Sequence, residues 1–300
     1  MISGDTDELS GALSELRVGV IGLGDIGRGL ADNLAQAGVT LSVYDIRPEA
    51  MEPYRPGAHE ASTPADLAGH CDVVFVAVIN DDQVRSVLLG SDGVFAGASA
   101  GASVIIVSTI ATTTVTAMHA EGITHGVSVV DCGVSGGPSA AASGELVCMV
   151  GGTAEDVERV RPVLDVIGCL VLHMGPHGSG LSAKLARNLV QYASWLAAYE
   201  AQTLAEAAGI DLLKLGQAIK ESDKRIGGAS TLMFRTTAEP WPDDADAGLV
   251  NAMRTASLLA HKDLAAARAL GSELGVPLPL AQLTDDLCDR IFGFVPGGAA

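Results

Sequence analysis

The sequence predicts an α/β protein: a doubly wound domain over residues 17–177, then an all-helical domain over residues 178–295, with a long helix between the two. Three observations support this. Short apolar runs alternate with helix-like segments as far as residue 175, a glycine-rich turn follows the first run, and helical apolar spacing begins near residue 180. Strands that alternate with helices are typical of a parallel sheet with right-handed crossovers.

The first domain begins with a strand at "RVGVIGL", a helix over residues 26–37 that stops at Gly38, and a strand at "TLSVYD". The next run, "CDVVFVAV", is almost wholly apolar, as expected of a parallel strand covered by helices on both faces. The remaining strand-like runs are, in order, "SVIIVST", "SVVDCGV", "LVCMVGG" and "CLVLHMG".

The second domain is predicted to start with a helix over residues 180–208, which would span roughly 43 Å at ~1.5 Å per residue. Further helical patterns cover 211–222, 249–274 and 280–292, and the acidic segment 238–247 is expected to be a solvated connection. The helices carry more apolar surface than a domain of this size buries alone, which predicts a homodimer or homotetramer. The apolar residues at helical spacing in the long helix are Leu181, Leu185, Leu189, Tyr192, Leu196 and Tyr199.

The amino-acid composition excludes some classes of binding partner. The 300 residues carry a formal net charge of -18, which argues against binding nucleic acid or anionic lipid. No apolar segment is long enough for a membrane helix, and residues 1–16 read as a polar lead-in and not a signal peptide. We expect a cytoplasmic protein with a tail at 296–300. The cysteines lack metal-binding spacing, so we expect reduced thiols and no metal site; they are Cys71, Cys132, Cys148, Cys169 and Cys288.

A glycine motif links the first strand to the first helix. Gly22, Gly24 and Gly27 fit G-x-G-x-x-G. The first glycine permits a tight turn, the second lets a pyrophosphate approach the backbone, and the third allows close packing of helix on strand. The free N–H groups at the start of a helix favour phosphate. The motif therefore predicts a dinucleotide-binding loop of the Rossmann type, comprising Gly22, Leu23, Gly24, Asp25, Ile26 and Gly27.

An acid ends the second strand. Asp45 lies 18 residues after Gly27, where it can accept hydrogen bonds from the adenosine ribose and repel a 2′-phosphate. This favours NAD over NADP. Arg47 weakens the preference for NAD, because its side chain could bind the 2′-phosphate of NADP. The other interpretation of these residues is a plain tight turn with Asp45 as a surface cap.

Two further stretches carry candidate chemistry. Ser135, Gly136 and Gly137 follow a strand, and a hydroxyl beside exposed amides can hold a carboxylate, although an ordinary polar turn has the same pattern. Lys184 and Asn188 are four residues apart on the predicted long helix. A shielded lysine would have a lowered pKa and could exchange a proton with a substrate, whereas a solvated lysine would not.

Taken together, the chain resembles the β-hydroxyacid dehydrogenase family, which includes 3-hydroxyisobutyrate dehydrogenase and tartronate semialdehyde reductase. The resemblance runs from about residue 17 to 290. It rests on "VIGLGDIGRGLADNLAQAG", "VSGGPSAAASGELVCMVGG", "GSGLSAKLARN" and "AHKDLAAARALGSELGVPLP", which occur in the family's order and approximate spacing.

The resemblance implies the roles of the site residues. Lys184 would be the catalytic acid/base and Asn188 would position the substrate. Lys262 would reach the active site as a substrate and cofactor contact, with Asp263 as its companion. The carboxylate of the substrate would be held by Ser135, Gly136 and Gly137, and the nicotinamide would lie near Val78, Asn80 and Thr109.

Three positions depart from the family pattern. Cys132-Gly133 replaces the usual Ala-Pro, Arg187 replaces a common Asn, and Ala111 follows "STI" where relatives often continue to Pro. The changes leave the expected reaction class intact: hydride transfer between NAD(P) and a small 3-hydroxy acid. They leave the substrate open. Alternatives are an imine reductase, a tartronate semialdehyde reductase, and a non-catalytic NAD-sensing module.

Overall fold

The computed structural model describes residues 13–295, and the chain divides into two compact units, Met1–Ala186 and Arg187–Ala300. Most of the predicted lead-in, and all of the predicted tail, lie outside the described residues. The described end of the lead-in differs from the expectation, because Leu13 is 6% exposed and packs into the core.

The first unit is built on a doubly wound, mostly parallel sheet, as predicted, but it has eight strands. The sequence pattern indicates seven strand-like runs and misses the two-residue strand His59–Glu60. The strand order is β3-β2-β1-β4-β5-β6-β7-β8, so the order reverses direction between β1 and β4. All neighbouring pairs are parallel except β6 and β7. The strands are β1 (Arg17–Ile21), β2 (Thr40–Tyr44), β3 (His59–Glu60), β4 (Val73–Val76), β5 (Ser103–Ile106), β6 (Ser128–Ser135), β7 (Leu146–Gly151) and β8 (Gly168–Gly175).

The antiparallel pair has a local cause. A parallel crossover needs a dozen or more residues, but only residues 136–145 connect β6 to β7. The chain therefore turns back beside β6, and β7 and β8 both run against the other strands. The sequence pattern alone does not show this reversal.

Helices cover the sheet on both faces. Along β4, Val73 and Phe75 belong to one apolar cluster, whereas Val74 and Val76 belong to the other. Successive side chains of a strand point to opposite faces, so the sheet is buried on both sides. The helices are α1 (Asp25–Gln36), α2 (Pro48–Met51) with a 3₁₀ turn (Glu52–Tyr54), α3 (Pro64–Gly69), α4 (Asp81–Leu89), α5 (Val94–Gly97), α6 (Thr112–Thr124), α7 (Gly137–Ser143) and α8 (Ala154–Ile167).

The C-terminal region is helical, as predicted. The long helix α9 (Ser179–Ala207) begins in the first unit and continues into the second. Residues 227–246 form an irregular connection, which is longer than the acidic segment 238–247 expected from the sequence and ends one residue before it. The other helices are α10 (Leu212–Ile226), α11 (Ala247–Leu274), α12 (Pro279–Asp286) and α13 (Cys288–Ile291).

A buried acid joins two elements of the second unit. The Glu200 carboxylate of α9 is 7% exposed and accepts hydrogen bonds from the amides of Leu280 and Ala281, at 2.6 and 3.1 Å. These amides lie in the first turn of α12 and have no partner within their own helix. Glu200 thereby fixes the start of α12 against α9.

All five cysteines are free thiols, and only Cys169 is exposed. Among the described residues, no helix has the length and hydropathy required to cross a membrane.

Two histidines stack where α9 begins. The rings of His119 on α6 and His177 have centroids 3.4 Å apart. Within residues 13–295, His119 Nδ1 and His177 Nε2 are buried and have no hydrogen-bond partner. Burial lowers the pKa of His177, and the neighbouring His119 lowers it further.

This pair predicts acid-sensitive stability. The unfolded chain binds the His177 proton more tightly than the folded chain, so stability is full above about pH 7.5 and falls as the pH drops through about 6.5. Urea unfolding from pH 8 to 5.5 should show a smaller loss in His177→Gln than in the wild type. The matched control is the exposed His125→Gln, which should keep the wild-type loss. Equal pH dependence in all three proteins would contradict the assignment.

Candidate active site

The glycine loop has the predicted shape. Gly22 has φ +89°, and a Cβ there would lie 2.6 Å from the Ala77 carbonyl oxygen. A Cβ on Gly27 would collide with the Gly22 carbonyl oxygen. The loop lies at the point between β1 and β4 where the strand order reverses, which is where ligands bind in open α/β sheets.

The middle glycine faces open space. No atom lies within 4 Å of where a Gly24 Cβ would stand, and Gly24 caps α1 without a side-chain hydrogen bond. The first amides of α1 are therefore available to an anionic ligand. Asp25 and Ile26 form the first turn of that helix. This shape fits the diphosphate of NAD(P), the cofactor that the motif implies.

Asp45 closes the loop. Its carboxylate is 8% exposed and accepts a hydrogen bond from the Leu23 amide at 2.7 Å. This bond ties the end of β2 to the glycine turn. The acid is therefore a structural part of the loop, beyond the ribose contact that the sequence suggests.

Arg47 pairs with the same acid. Arg47 Nε lies 3.1 Å from Asp45 Oδ1, and the Arg47 amide donates to that oxygen at 2.9 Å. Burial raises the pKa of Asp45, but the hydrogen bonds from Arg47 and Leu23 outweigh it, so the pKa is lowered and the group is ionised at neutral pH. The Arg47 side chain is 56% exposed, so this ion pair borders solvent.

The residues expected near the nicotinamide follow β4 and β5. Val78 is half-buried, and Asn80 and Thr109 are exposed. Asn80 Oδ1 accepts the Gln83 amide at 3.0 Å, so part of its hydrogen-bonding capacity caps α4. All three residues lie beyond the carboxyl ends of their strands, on the edge that bears the glycine loop.

A buried acid anchors the start of α9. Asp131 lies inside β6 with no exposed surface. Its carboxylate accepts the amides of Gly178 and Leu181, at 2.7 and 2.8 Å. Two amides that the helix leaves unpaired are thereby satisfied by an ionisable side chain. The first turn of α9 is fixed against the centre of the sheet.

Lys184 lies one turn further along α9, where the helix packs against β6. A Cβ on Gly133 would lie 2.5 Å from the Gly180 carbonyl oxygen and 2.6 Å from the Lys184 Cβ, so α9 packs directly on the β6 backbone. Burial lowers the pKa of the Lys184 ammonium, against a smaller opposing effect of Cys132. Among the described residues, no carboxylate pairs with Lys184. The shielded-lysine interpretation agrees with this environment.

Ser135, Gly136 and Gly137 occupy the turn between β6 and α7. Ser135 is half-buried, and both glycines are exposed with φ of +128° and +70°. The turn exposes a hydroxyl and adjoining backbone amides at the end of the strand that carries Asp131 and Gly133.

Other predicted residues belong to the second unit. Asn188 follows Lys184 by one turn of α9 and is half-buried. Arg187 donates to Gln191 Oε1 at 3.0 Å along the same helix. On α11, Lys262 Nζ lies 3.2 Å from Asp263 Oδ1, and both side chains are exposed. The contacts of these residues with substrate and cofactor stay predictions.

Sequence reasoning missed two residues of this site. Asp131 and Gly133 support Lys184, yet neither was singled out for that role. The available signal was an acid within an otherwise apolar strand, "SVVDCGV", since a buried charge needs partners. A glycine two residues later on the same strand marks a close backbone approach.

Family models match nearly all of the described chain. Residues 17–175 match the NAD binding domain of 6-phosphogluconate dehydrogenase. Residues 178–292 match the NAD-binding region of NADP-dependent 3-hydroxyisobutyrate dehydrogenase.

Individual relatives agree with these models. An uncharacterized oxidoreductase of Mycobacterium tuberculosis is 41% identical over 89% of this chain and 90% of the relative. The NAD-dependent L-serine dehydrogenase of Pseudomonas aeruginosa is 34% identical over 75% and 74%. A structure of M. tuberculosis 3-hydroxyisobutyrate dehydrogenase with L-serine has a TM-score of 0.66 at 27% identity, covering 91% and 92%. Imine reductases, such as that of Myxococcus stipitatus at 22% identity and TM-score 0.74, share the fold alone.

The glycine loop yields a paired prediction. Gly27→Ala should lower the free energy of unfolding by about 1–3 kcal/mol, because its Cβ collides with the backbone. Gly24→Ala should change it by less than about 0.5 kcal/mol, since space is free there, but should weaken NADH binding. Urea unfolding and NADH fluorescence titration test both. Equal destabilisation, or unchanged NADH affinity in Gly24→Ala, would refute this geometry.

Proposed function

Since the chain belongs to the β-hydroxyacid dehydrogenase family, whose members are NAD(P)-dependent dehydrogenases, we propose that it reversibly oxidises a small 3-hydroxy acid resembling 3-hydroxyisobutyrate. Lys184 is the general acid/base in this proposal. The observation that carries it is the environment of Lys184, which is shielded, has no carboxylate partner among residues 13–295 and has a lowered pKa.

The proposed proton transfer follows from that environment. The lowered pKa increases the share of neutral amine, which accepts the proton of the substrate hydroxyl during oxidation. In the reverse direction, the ammonium returns the proton to the forming hydroxyl. NAD, when bound, supplies the hydride chemistry. Because Asp131 and Gly133 fix the first turns of α9, Lys184 needs little rearrangement to act.

The carboxylate end of the substrate is assigned to the turn after β6. We propose that Ser135 and the amides of Gly136 and Gly137 bind it, because this turn lies beyond Gly133 on the same strand. Asn188 positions the substrate, and Lys262 contributes to substrate and cofactor binding, as the family resemblance implies.

NAD is the proposed cofactor in preference to NADP. Support comes from Asp45, an ionised and nearly buried carboxylate that would repel a 2′-phosphate. The exposed Arg47 side chain weakens the preference for NAD, because it can release Asp45 and bind the 2′-phosphate of NADP.

Three alternatives remain distinguishable. A tartronate semialdehyde reductase would show itself in the substrate panel below. An imine reductase would reduce cyclic imines and not oxidise hydroxy acids. A non-catalytic sensor would bind NAD without any change in absorbance at 340 nm.

We also propose a homodimer or homotetramer. Large apolar side chains of α9 are exposed, including Leu189 at 70%, Trp195 at 60% and Tyr199 at 65%. A second copy of the chain would cover such a surface. A cytoplasmic location is proposed from the five free thiols, and the division between functional domains is proposed at residues 177/178.

The function is tested with a panel of hydroxy acids that includes 3-hydroxyisobutyrate, L-serine and glycerate, each with NAD and NADP. Wild-type protein should produce reduced cofactor, whereas Lys184→Ala should lower kcat by about 10²–10⁴-fold with NAD affinity nearly unchanged. Lys184→Arg is the matched control, because it keeps the charge but cannot serve as a base at neutral pH. Near-normal kcat in either variant would remove Lys184 from its role.

Cofactor preference is tested separately. Asp45→Asn removes the charge that would oppose a 2′-phosphate, so it should raise the relative affinity for NADPH over NADH by about tenfold or more. Arg47→Ala removes the side chain that could meet the phosphate, so it should shift the ratio the other way. Fluorescence titration measures both affinities. An unchanged ratio in Asp45→Asn would show that Asp45 does not select the cofactor.

A further inference from the structure

A cluster of metal-ligand side chains lies outside the proposed active site. His59 on β3, Asp66 on α3 and His70 just after α3 each offer a ligand atom, and these atoms lie within 4.8 Å of one another. Among the described residues, this is the only such group of three or more histidine, cysteine or acidic side chains. We propose that it binds a divalent transition-metal ion of the zinc class.

The acid is already oriented for this purpose. Asp66 Oδ2 accepts hydrogen bonds from the Ser62 amide at 2.8 Å and the Ser62 hydroxyl at 3.0 Å. Thr63 Oγ1 in turn accepts the Asp66 amide at 3.0 Å, so the carboxylate belongs to the N-terminal cap of α3. These bonds turn the other oxygen, Oδ1, toward the two imidazoles.

The spacing around Oδ1 is close to that of a metal site. His59 Nε2 lies 3.5 Å from Asp66 Oδ1, and the ligand atoms of all three side chains lie within 4.8 Å of one another. A tetrahedral zinc ion with bonds of ~2.0–2.1 Å separates its ligand atoms by about 3.3 Å. Rotation of the exposed histidine side chains would bring the ligand atoms to that separation.

A hydrogen bond orients the His70 ring. His70 Nδ1 lies 2.8 Å from the Asp66 carbonyl oxygen, which can only accept, so Nδ1 donates in this contact. The other ring nitrogen, Nε2, is then the one available to a metal, an arrangement typical of metal-binding histidines. The ring centroids of His59 and His70 are 4.4 Å apart, so the two imidazoles lie side by side next to the carboxylate. Imidazole nitrogens and a carboxylate oxygen are ligands that zinc prefers.

Charge and access also favour a cation. The chain carries a net charge of -18, which raises the local concentration of positive ions. His59 and His70 have exposed side chains, so an ion enters from solvent and water completes its coordination. This site revises the expectation of no metal site, which rested on cysteine spacing.

The cluster lies far from the proposed chemistry. In the strand order, β3 is five positions from β6, which is about 24 Å at ~4.8 Å per strand. The proposed metal takes no part in the dehydrogenase chemistry, and its binding is independent of the dehydrogenase proposal.

Calorimetric titration of ZnCl₂ into the metal-stripped full chain at pH 7.5 tests the site. One ion should bind per chain, and His59→Ala and His70→Ala should each lower the affinity at least about tenfold. At pH 5.5 the wild-type affinity should fall steeply, because protonated histidines cannot bind a metal.

Two control variants guard against adventitious binding. His125→Ala removes an exposed histidine that lies 3.8 Å from Glu121, and Cys169→Ser removes the exposed thiol. Both should retain the wild-type affinity. Absence of binding, unchanged affinity in the two cluster variants, or loss of binding in Cys169→Ser would overturn the proposal. Dehydrogenase activity of His59→Ala and His70→Ala, measured in parallel, should match the wild type.

Discussion

The arrangement of the candidate active site depends on one buried carboxylate. Asp131 has no contact with water and accepts the two amides that open α9. A carboxyl group in the interior is stable only when its oxygens are hydrogen-bonded. The helix therefore cannot slide along the sheet without leaving those buried oxygens without partners. The backbone of Lys184 is fixed in the same way, because it lies one turn beyond the two amides that Asp131 binds.

The reversal of β7 and β8 makes the anchor possible. Because β8 runs against β6, the chain leaves it at the edge where β6 begins. Helix α9 then contacts Asp131 first and Gly133 next, so it runs alongside β6 toward Ser135. A fully parallel sheet would start the helix at the opposite edge, pointing away. The short connection through α7 thus sets the direction in which α9 runs along β6, and with it the position of Lys184.

Much of this structure could be predicted from local sequence patterns. The glycine loop and Asp45 could be found from the sequence because a strand, a turn and a helix in succession fix their spacing within about thirty residues. Lys184 stands out through its four-residue spacing from Asn188 and through the family resemblance, and its role stays a prediction. Asp131 and the amides it binds are 47 and 50 positions apart, and their meeting depends on strand direction. The pairing of Arg47 with Asp45 depends on side-chain geometry, and the grouping of His59 with Asp66 and His70 depends on how β3 lies beside α3. Neither the ion pair nor the histidine cluster can be predicted from hydrophobic periodicity.

Gly133 leaves no room for a side chain. Even a methyl group there would meet the Gly180 carbonyl oxygen and the Lys184 Cβ. The bare backbone at this one position therefore sets how closely α9 approaches the sheet. Any larger residue would have to displace the helix together with the lysine that it carries.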